Sequence, residues 1–187
     1  MPIPLGILAA TASGGIPTFE HIATTTLAST ATTITISSLP QNFKHLHIRT
    51  FSKVTSTTNS GNLYLRVNGD ATSGRYFWSQ NVGSTSSWQY NSDNTNETDM
   101  RFGVALSSAT ANLNAFSTHL IDISNYSATN KFTNIMSKGG YSVVSAASQI
   151  NLASGGYNQT GAVTSLTIGT NETFAIGTTI AVYGLVG

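Results

Sequence analysis

The chain has 187 residues, of which 40% are hydrophobic and only 8% are charged, and its formal net charge is +1. Globular domains usually carry about 25% charged residues, and disordered chains combine low hydrophobicity with high net charge. The composition therefore excludes a disordered chain. The eight Lys and Arg residues are dispersed along the sequence, which argues against nucleic acid as a partner, because phosphate binding needs clustered positive charge.

The low charge also bears on association. Few charges mean little of the electrostatic repulsion that keeps soluble proteins apart, so we expect the chain to associate with copies of itself. The chain contains no cysteine. Its stability must therefore come from its core and its interfaces rather than from disulfides.

The first 18 residues are interpreted as an extended arm that precedes a single domain of residues 19–187. Two prolines interrupt the apolar stretch, and no Lys or Arg stands before it. Ala10-Thr11-Ala12 resembles a signal peptidase site, but a signal peptide needs a basic start and a continuous apolar run. The stretch is also too short to cross a bilayer, and we expect no membrane partner. The arm residues expected to contact a neighbouring subunit are Pro2, Ile3, Leu5, Ile7 and Leu8.

Alternation of apolar and polar residues along the chain predicts β-strands and almost no helix. It recurs in the segments 33–37, 44–49, 62–67, 100–106, 119–123, 132–136, 163–168 and 179–185. Runs rich in Ser, Thr and Asn at 52–62 and 84–99 have the composition of long loops, and the glycine pairs at 139–140 and 155–156 that of turns. The pattern predicts an all-β fold, an antiparallel β-sandwich of jelly-roll type with an extended N-terminal arm.

His45 and His47 lie two residues apart on one predicted strand. Both imidazoles should leave the same face, opposite Leu46 and Ile48, and two such rings can share a metal ion. No further ligand is fixed by local spacing, so the alternative is an outward face beside Arg49. We expect no metal and no other cofactor.

The segment 93–99 is dense in oxygen-bearing side chains, which are the ligands that hard cations such as Ca²⁺ prefer. It lacks the glycine that an EF-hand loop requires at its sharp turn. A polar exposed loop is the alternative interpretation.

Motifs for catalysis are not found in the sequence. It contains no Gly-x-Ser-x-Gly elbow and no Gly-x-x-x-x-Gly-Lys loop, and we expect the protein not to be an enzyme. A glycan hydrolase would need two carboxylates at catalytic separation. The carboxylates available for that role are Glu20, Asp70, Asp93, Glu97, Asp99, Asp122 and Glu172.

Aromatic residues, amides and an arginine are concentrated in region 75–91. Its rings include Tyr76, Trp78, Trp88 and Tyr90. Three interpretations remain open: alternating members are core residues of one more hairpin, the rings form a protein interface, or the rings stack on sugars.

Several segments together resemble known proteins. The stretches 161–168 and 174–185 resemble the ending of many small virion proteins of tailed bacteriophages. The opening residues 1–8, the strand 43–49 and the hairpin 65–70 stand in the order associated with that group. The resemblance implies an oligomeric, jelly-roll-like virion subunit without catalysis. The group shares no active-site motif, so no functional residue is carried over from it.

The expected function is therefore that of a non-enzymatic virion structural protein, either a capsid-decorating cement protein or a tail component. The expected partners are further copies of the chain, as a homotrimer, and the major capsid protein or tail proteins. The expected location is the virion surface, after assembly in the host cytoplasm. The alternative is a receptor- or glycan-binding tail-fibre module that uses region 75–91 to contact host-surface glycans.

Overall fold

The computed structural model describes residues 19–109, 114–143 and 148–186, and within these ranges it contains β-strands and no α-helix. No helix in this part of the chain could span a membrane. The strands are β1 (Phe19–Thr26), β2 (Ala31–Ile36), β3 (His45–Ser52), β4 (Gly61–Val67), β5 (Tyr76–Ser84), β6 (Trp88–Glu97), β7 (Met100–Ala105), β8 (Ser117–Ser124), β9 (Thr133–Tyr141), β10 (Gln149–Tyr157), β11 (Leu166–Phe174) and β12 (Thr179–Leu185). The predicted all-β class is confirmed.

The strands form two antiparallel sheets that pack face to face as a β-sandwich. The larger sheet has the order β1-β12-β3-β8-β9-β10-β5-β6, and the smaller has the order β2-β11-β4-β7. Two hairpins, β5–β6 and β9–β10, extend the larger sheet beyond β8. Without these hairpins, two four-stranded sheets remain, and the chain alternates between them from β1 to β4 and from β7 to β12.

Alternating side chains from both sheets build the core. Leu46 and Ile48 of β3, and Leu63 and Leu65 of β4, are fully buried, which confirms the predicted inward faces of these strands. Burial of each such side chain stabilises the fold by about 1.5–3 kcal/mol. The core therefore rests on the aliphatic strands whose alternation is clearest in the sequence.

The turn after β4 forms as predicted, but the hairpin does not. Asn68 and Gly69 adopt positive φ angles of 54° and 68°, and the Asp70 N–H donates to the Val67 carbonyl at 3.0 Å. The chain nevertheless leaves for the larger sheet, because β11 and β7 already occupy both edges of β4. The hydroxyl of Tyr76 secures this crossing, since it accepts the Val67 N–H at 2.9 Å and donates to the Asp70 carbonyl at 2.8 Å.

The prediction of a long loop over 84–99 is wrong, because most of this run is strand β6. Asn91 pairs with Gln80 and Gln89 pairs with Val82, so that β6 completes a hairpin with β5. As an edge strand whose side chains are mostly exposed, β6 needs no aliphatic residues. The other predicted loop, 52–62, does connect β3 with β4.

Candidate functional site

The four rings of Tyr76, Trp78, Trp88 and Tyr90 in region 75–91 separate into two pairs. Tyr76 and Trp78 point into the core and are 1% and 7% exposed, whereas Trp88 and Tyr90 stand on β6 and are 71% and 66% exposed. The prediction that all four rings form an exposed contact surface is therefore wrong for Tyr76 and Trp78, because the inner face of β5 packs against the smaller sheet. Of the three interpretations, one more hairpin with core residues fits the structure, because β5 and β6 form a hairpin and Tyr76 and Trp78 of β5 are buried.

Four large apolar side chains lie next to one another on the outer face of the larger sheet. We call them the apolar ribbon: Trp88 of β6, Ile150 and Leu152 of β10, and Met136 of β9. All four are between 46% and 71% exposed. Ile150 and Leu152 leave the same face of β10, and Met136 and Leu152 line one shallow cavity of about 320 Å³.

A glycine allows the ribbon to continue from β10 to β6. A Cβ atom on Gly83 would lie 2.9 Å from side-chain atoms of both Ile150 and Trp88. The missing side chain therefore leaves space in which the indole and the isoleucine approach each other across β5. Polar residues border the ribbon, among them Asn81, Asp122 and Lys138. An exposed apolar patch with a polar rim is typical of an interaction surface.

A second feature lies on the opposite side of β6, where the hairpin faces β7. A cavity of about 260 Å³ is lined by five Asn and Gln residues, together with Trp78, Arg101 and two valines. We call it the carboxamide cleft. The amides that line it are Asn62, Gln80, Gln89, Asn91 and Gln149.

Sequence reasoning missed the carboxamide cleft, since its residues come from β4, β5, β6, β7 and β10. One signal was present. Gln89 and Asn91 alternate with Trp88 and Tyr90, so an interpretation of this run as a strand would have placed both amides on one face.

The two histidines of β3 share the outward face, as predicted, and each has a partner. The Asn125 N–H donates to Nδ1 of His45 at 3.2 Å, and Nδ1 of His47 lies 2.6 Å from an oxygen of Asp122. Within the described ranges, no group of three or more His, Asp or Glu side chains is placed to hold a metal ion.

The acidic residues of segment 93–99 bind mainly to protein groups. Arg66 donates to Asp99 at 3.1 Å, and the Thr95 N–H donates to Asp93 at 3.0 Å. Burial raises the pKa of the Glu97 carboxyl, and a hydrogen bond with Asp93 raises it further.

The predicted assembly arm, with Pro2, Ile3, Leu5, Ile7 and Leu8, lies outside the described residues. Comparisons of the chain with protein-family models, with curated proteins and with solved structures gave no match. A functional proposal for this chain therefore rests on its own residues and surfaces.

Proposed function

We propose that the chain is a non-enzymatic structural protein of a tailed-phage virion that assembles through the outer face of its larger sheet. The apolar ribbon carries this proposal. Trp88, Ile150, Leu152 and Met136 are in contact with solvent in the single chain. Covering them with a neighbouring subunit removes apolar surface from water, at a gain of about 25 cal/mol for each Å² buried.

The strand order supports the proposal. Apart from the two hairpins, the strands form two four-stranded antiparallel sheets, and the chain alternates between them from β1 to β4 and from β7 to β12. This order is consistent with the double-sheet jelly roll that we propose. Viral capsid domains are among the proteins that use this fold, and so are lectins. A fold hosts many functions, so the strand order adds to the ribbon and does not replace it.

The surface chemistry also suits assembly. Because only 8% of its residues are charged, two copies of this chain can meet through neutral faces without the cost of removing many charges from water. The proposed assembly is a homotrimer on the virion surface, in contact with the major capsid protein or with tail proteins. Stable obligate interfaces bury about 2,000 Å² or more. An interface of that area would extend well past the four ribbon residues and include the polar residues that border them.

The first test is the mass of the protein in solution. Light scattering after size-exclusion chromatography should give a trimer for the wild type. Leu152→Lys should weaken association at least about tenfold, which corresponds to about 1.4 kcal/mol, because an unpaired ammonium would be buried. Thr33→Lys is the matched control, since Thr33 is exposed on the smaller sheet and the substitution there should leave the mass unchanged.

The second test locates the protein in the particle. Mass spectrometry of purified virions should detect the chain, and images of the whole particle would assign it to the capsid or to the tail. A monomer in solution, together with absence from purified virions, would overturn the proposal.

The alternative function, a receptor- or glycan-binding module built on exposed rings of region 75–91, loses Tyr76 and Trp78 to the core. Trp88 remains exposed but belongs to the apolar ribbon. A glycan therefore cannot stack on all four rings, as this alternative requires.

A further inference from the structure

We propose that the carboxamide cleft binds one ring of a neutral saccharide. This inference is independent of the assembly function, because the cleft and the apolar ribbon lie on opposite faces of the β5–β6 hairpin. Gln89 and Asn91 line the cleft from β6 and are themselves exposed. Solvent can therefore reach it.

The chemistry of the lining matches hydroxyl groups. Each carboxamide offers an N–H₂ donor and a carbonyl acceptor, and each sugar hydroxyl both donates and accepts. Five Asn and Gln residues line the cleft, whereas in a purely structural polar cluster the amides would bond to one another. Gln80 does so in part, since its Nε2 donates to Asn151 at 2.9 Å.

Buried polar atoms of the lining remain without partners. The indole N–H of Trp78 and the carbonyl oxygen of Gln149 are inaccessible and have no hydrogen-bond partner among the described residues. Trp78 is itself only 7% exposed. Buried polar groups are nearly always hydrogen-bonded in folded proteins, so these two atoms leave unused hydrogen-bonding capacity in the wall of the cleft.

Charge and volume restrict the ligand further. Arg101 is the one ionisable side chain among the described residues that line the cleft, and its guanidinium carbon lies 5.5 Å from the centre of the Trp78 ring. The nearby Glu97 interacts electrostatically with Arg101, which favours a neutral ligand over an anion. A volume of about 260 Å³ lies just below the range of small-molecule pockets, about 300–1,000 Å³, and suits a single sugar ring.

The indole N–H signal of Trp78 provides a direct test. The sequence contains two tryptophans, so a ¹H–¹⁵N correlation spectrum has two indole peaks, and the variant Trp88→Phe assigns them. The probes are D-glucose, D-galactose, D-mannose and N-acetyl-D-glucosamine, each added to the full chain at up to roughly 100 mM, well above a millimolar Kd. We expect at least one probe to shift the Trp78 peak in a saturable manner and to leave the Trp88 peak in place.

Two variants connect the shift with the cleft. Asn91→Ala, and separately Gln89→Ala, should weaken binding at least about tenfold. Both residues are exposed on an edge strand, so the fold should be kept. Ser92→Ala is the matched control, because Ser92 pairs with Ser79 on the opposite face of β6, and this variant should bind as the wild type does.

Three results would overturn the proposal. Absence of a Trp78 shift with all four probes would mean that the cleft holds only water. An unchanged affinity in both Asn91→Ala and Gln89→Ala would show that the sugar binds outside the cleft. D-glucuronate is added as a fifth, anionic probe, and a shift with this probe alone would identify an anion site instead of a neutral one.

Discussion

His119 is enclosed between the two sheets, and neither of its ring nitrogens has a hydrogen-bond partner among the described residues. Its imidazole meets the Phe102 ring edge-on, with the ring centres 5.8 Å apart. A Cβ on Gly103 would lie 2.2 Å from Nε2 of His119, so this glycine supplies the space for the imidazole. Burial lowers the pKa of His119 from 6.5 to about 4, and the core therefore holds the neutral form.

We expect the free energy of unfolding to fall as the pH drops from about 6.5 toward 4. In this window the unfolded chain binds a proton at His119 that the folded chain excludes, so stability rises with pH. The loss reaches roughly 3 kcal/mol at the acid end, since one pKa unit corresponds to about 1.4 kcal/mol. Urea unfolding across the window measures it. His119→Leu should flatten the curve, and an equal pH dependence in both proteins would contradict the assignment.

Asp70 contributes in the same direction, at lower pH. Hydrogen bonds from the Thr72 side chain, from the Tyr157 hydroxyl at 2.6 Å and from the Thr72 N–H at 2.8 Å lower the pKa of Asp70 to about 2. Burial raises the pKa of Tyr157 to about 12, so the hydroxyl remains a donor at neutral pH. The depressed pKa means that this stabilisation is complete above the ordinary pKa of Asp, about 3.9, and is lost as the pH falls through about 2.

Tyr157→Phe should raise the pKa of Asp70 toward its ordinary value and lower the free energy of unfolding at neutral pH by about 1 kcal/mol. Titration of the Asp70 carboxyl ¹³C signal measures the first effect, and urea unfolding at pH 7 measures the second. An unchanged Asp70 titration would show that the Thr72 contact alone sets this pKa.

At the scale of whole strands, β6 differs from the rest of the larger sheet because β5 is its single neighbour in that sheet. Its side chains are mostly exposed, and it contains no aliphatic residue. We expect amide protons of β6 to exchange by local opening, at free energies well below global unfolding. Those of β10, which lies between β9 and β5, should exchange near the global limit. Native-state hydrogen exchange measures both strands in one sample, and equal protection would contradict this ranking.

The strands that the sequence predicted are those with aliphatic alternation. Each of the eight predicted segments overlaps a strand of the structure, because Val, Ile and Leu at every second position identify a half-buried strand. β1 and β10 were missed, and most of β6 was predicted as a loop. In β10 the reason is Ser154-Gly155-Gly156, which has turn composition. Both glycines are needed within the strand: a Cβ on Gly155 would lie 2.2 Å from the Phe77 carbonyl oxygen.

The candidate sites were less predictable, for a topological reason. Trp78 and Trp88 stand in similar aromatic and polar runs, and only the sheet order makes one strand internal and the other an edge. Gln149 reaches the cleft because β10 pairs with β5, about 70 residues earlier in the chain. Local periodicity gives no information about such pairings, so neither the ribbon nor the cleft follows from the sequence.

At the scale of the molecule, the proposed assembly makes a prediction about salt. An apolar contact is not screened by ions, whereas charge pairs weaken as the Debye length falls from about 10 Å at 0.1 M to about 3 Å at 1 M. We expect the oligomer to persist over this range of NaCl in sedimentation experiments. Dissociation at high salt would mean that charged residues, and not the apolar ribbon, hold the subunits together.

The two hairpins have a consequence for how this protein can vary. A hairpin returns the chain to the place it left, so β5–β6 and β9–β10 can change in length or sequence while both four-stranded sheets keep their strand order. All four ribbon residues and most residues of the cleft belong to these hairpins. The residues proposed for assembly and for saccharide binding can therefore diverge between descendants of this chain while the fold that supports them is inherited unchanged.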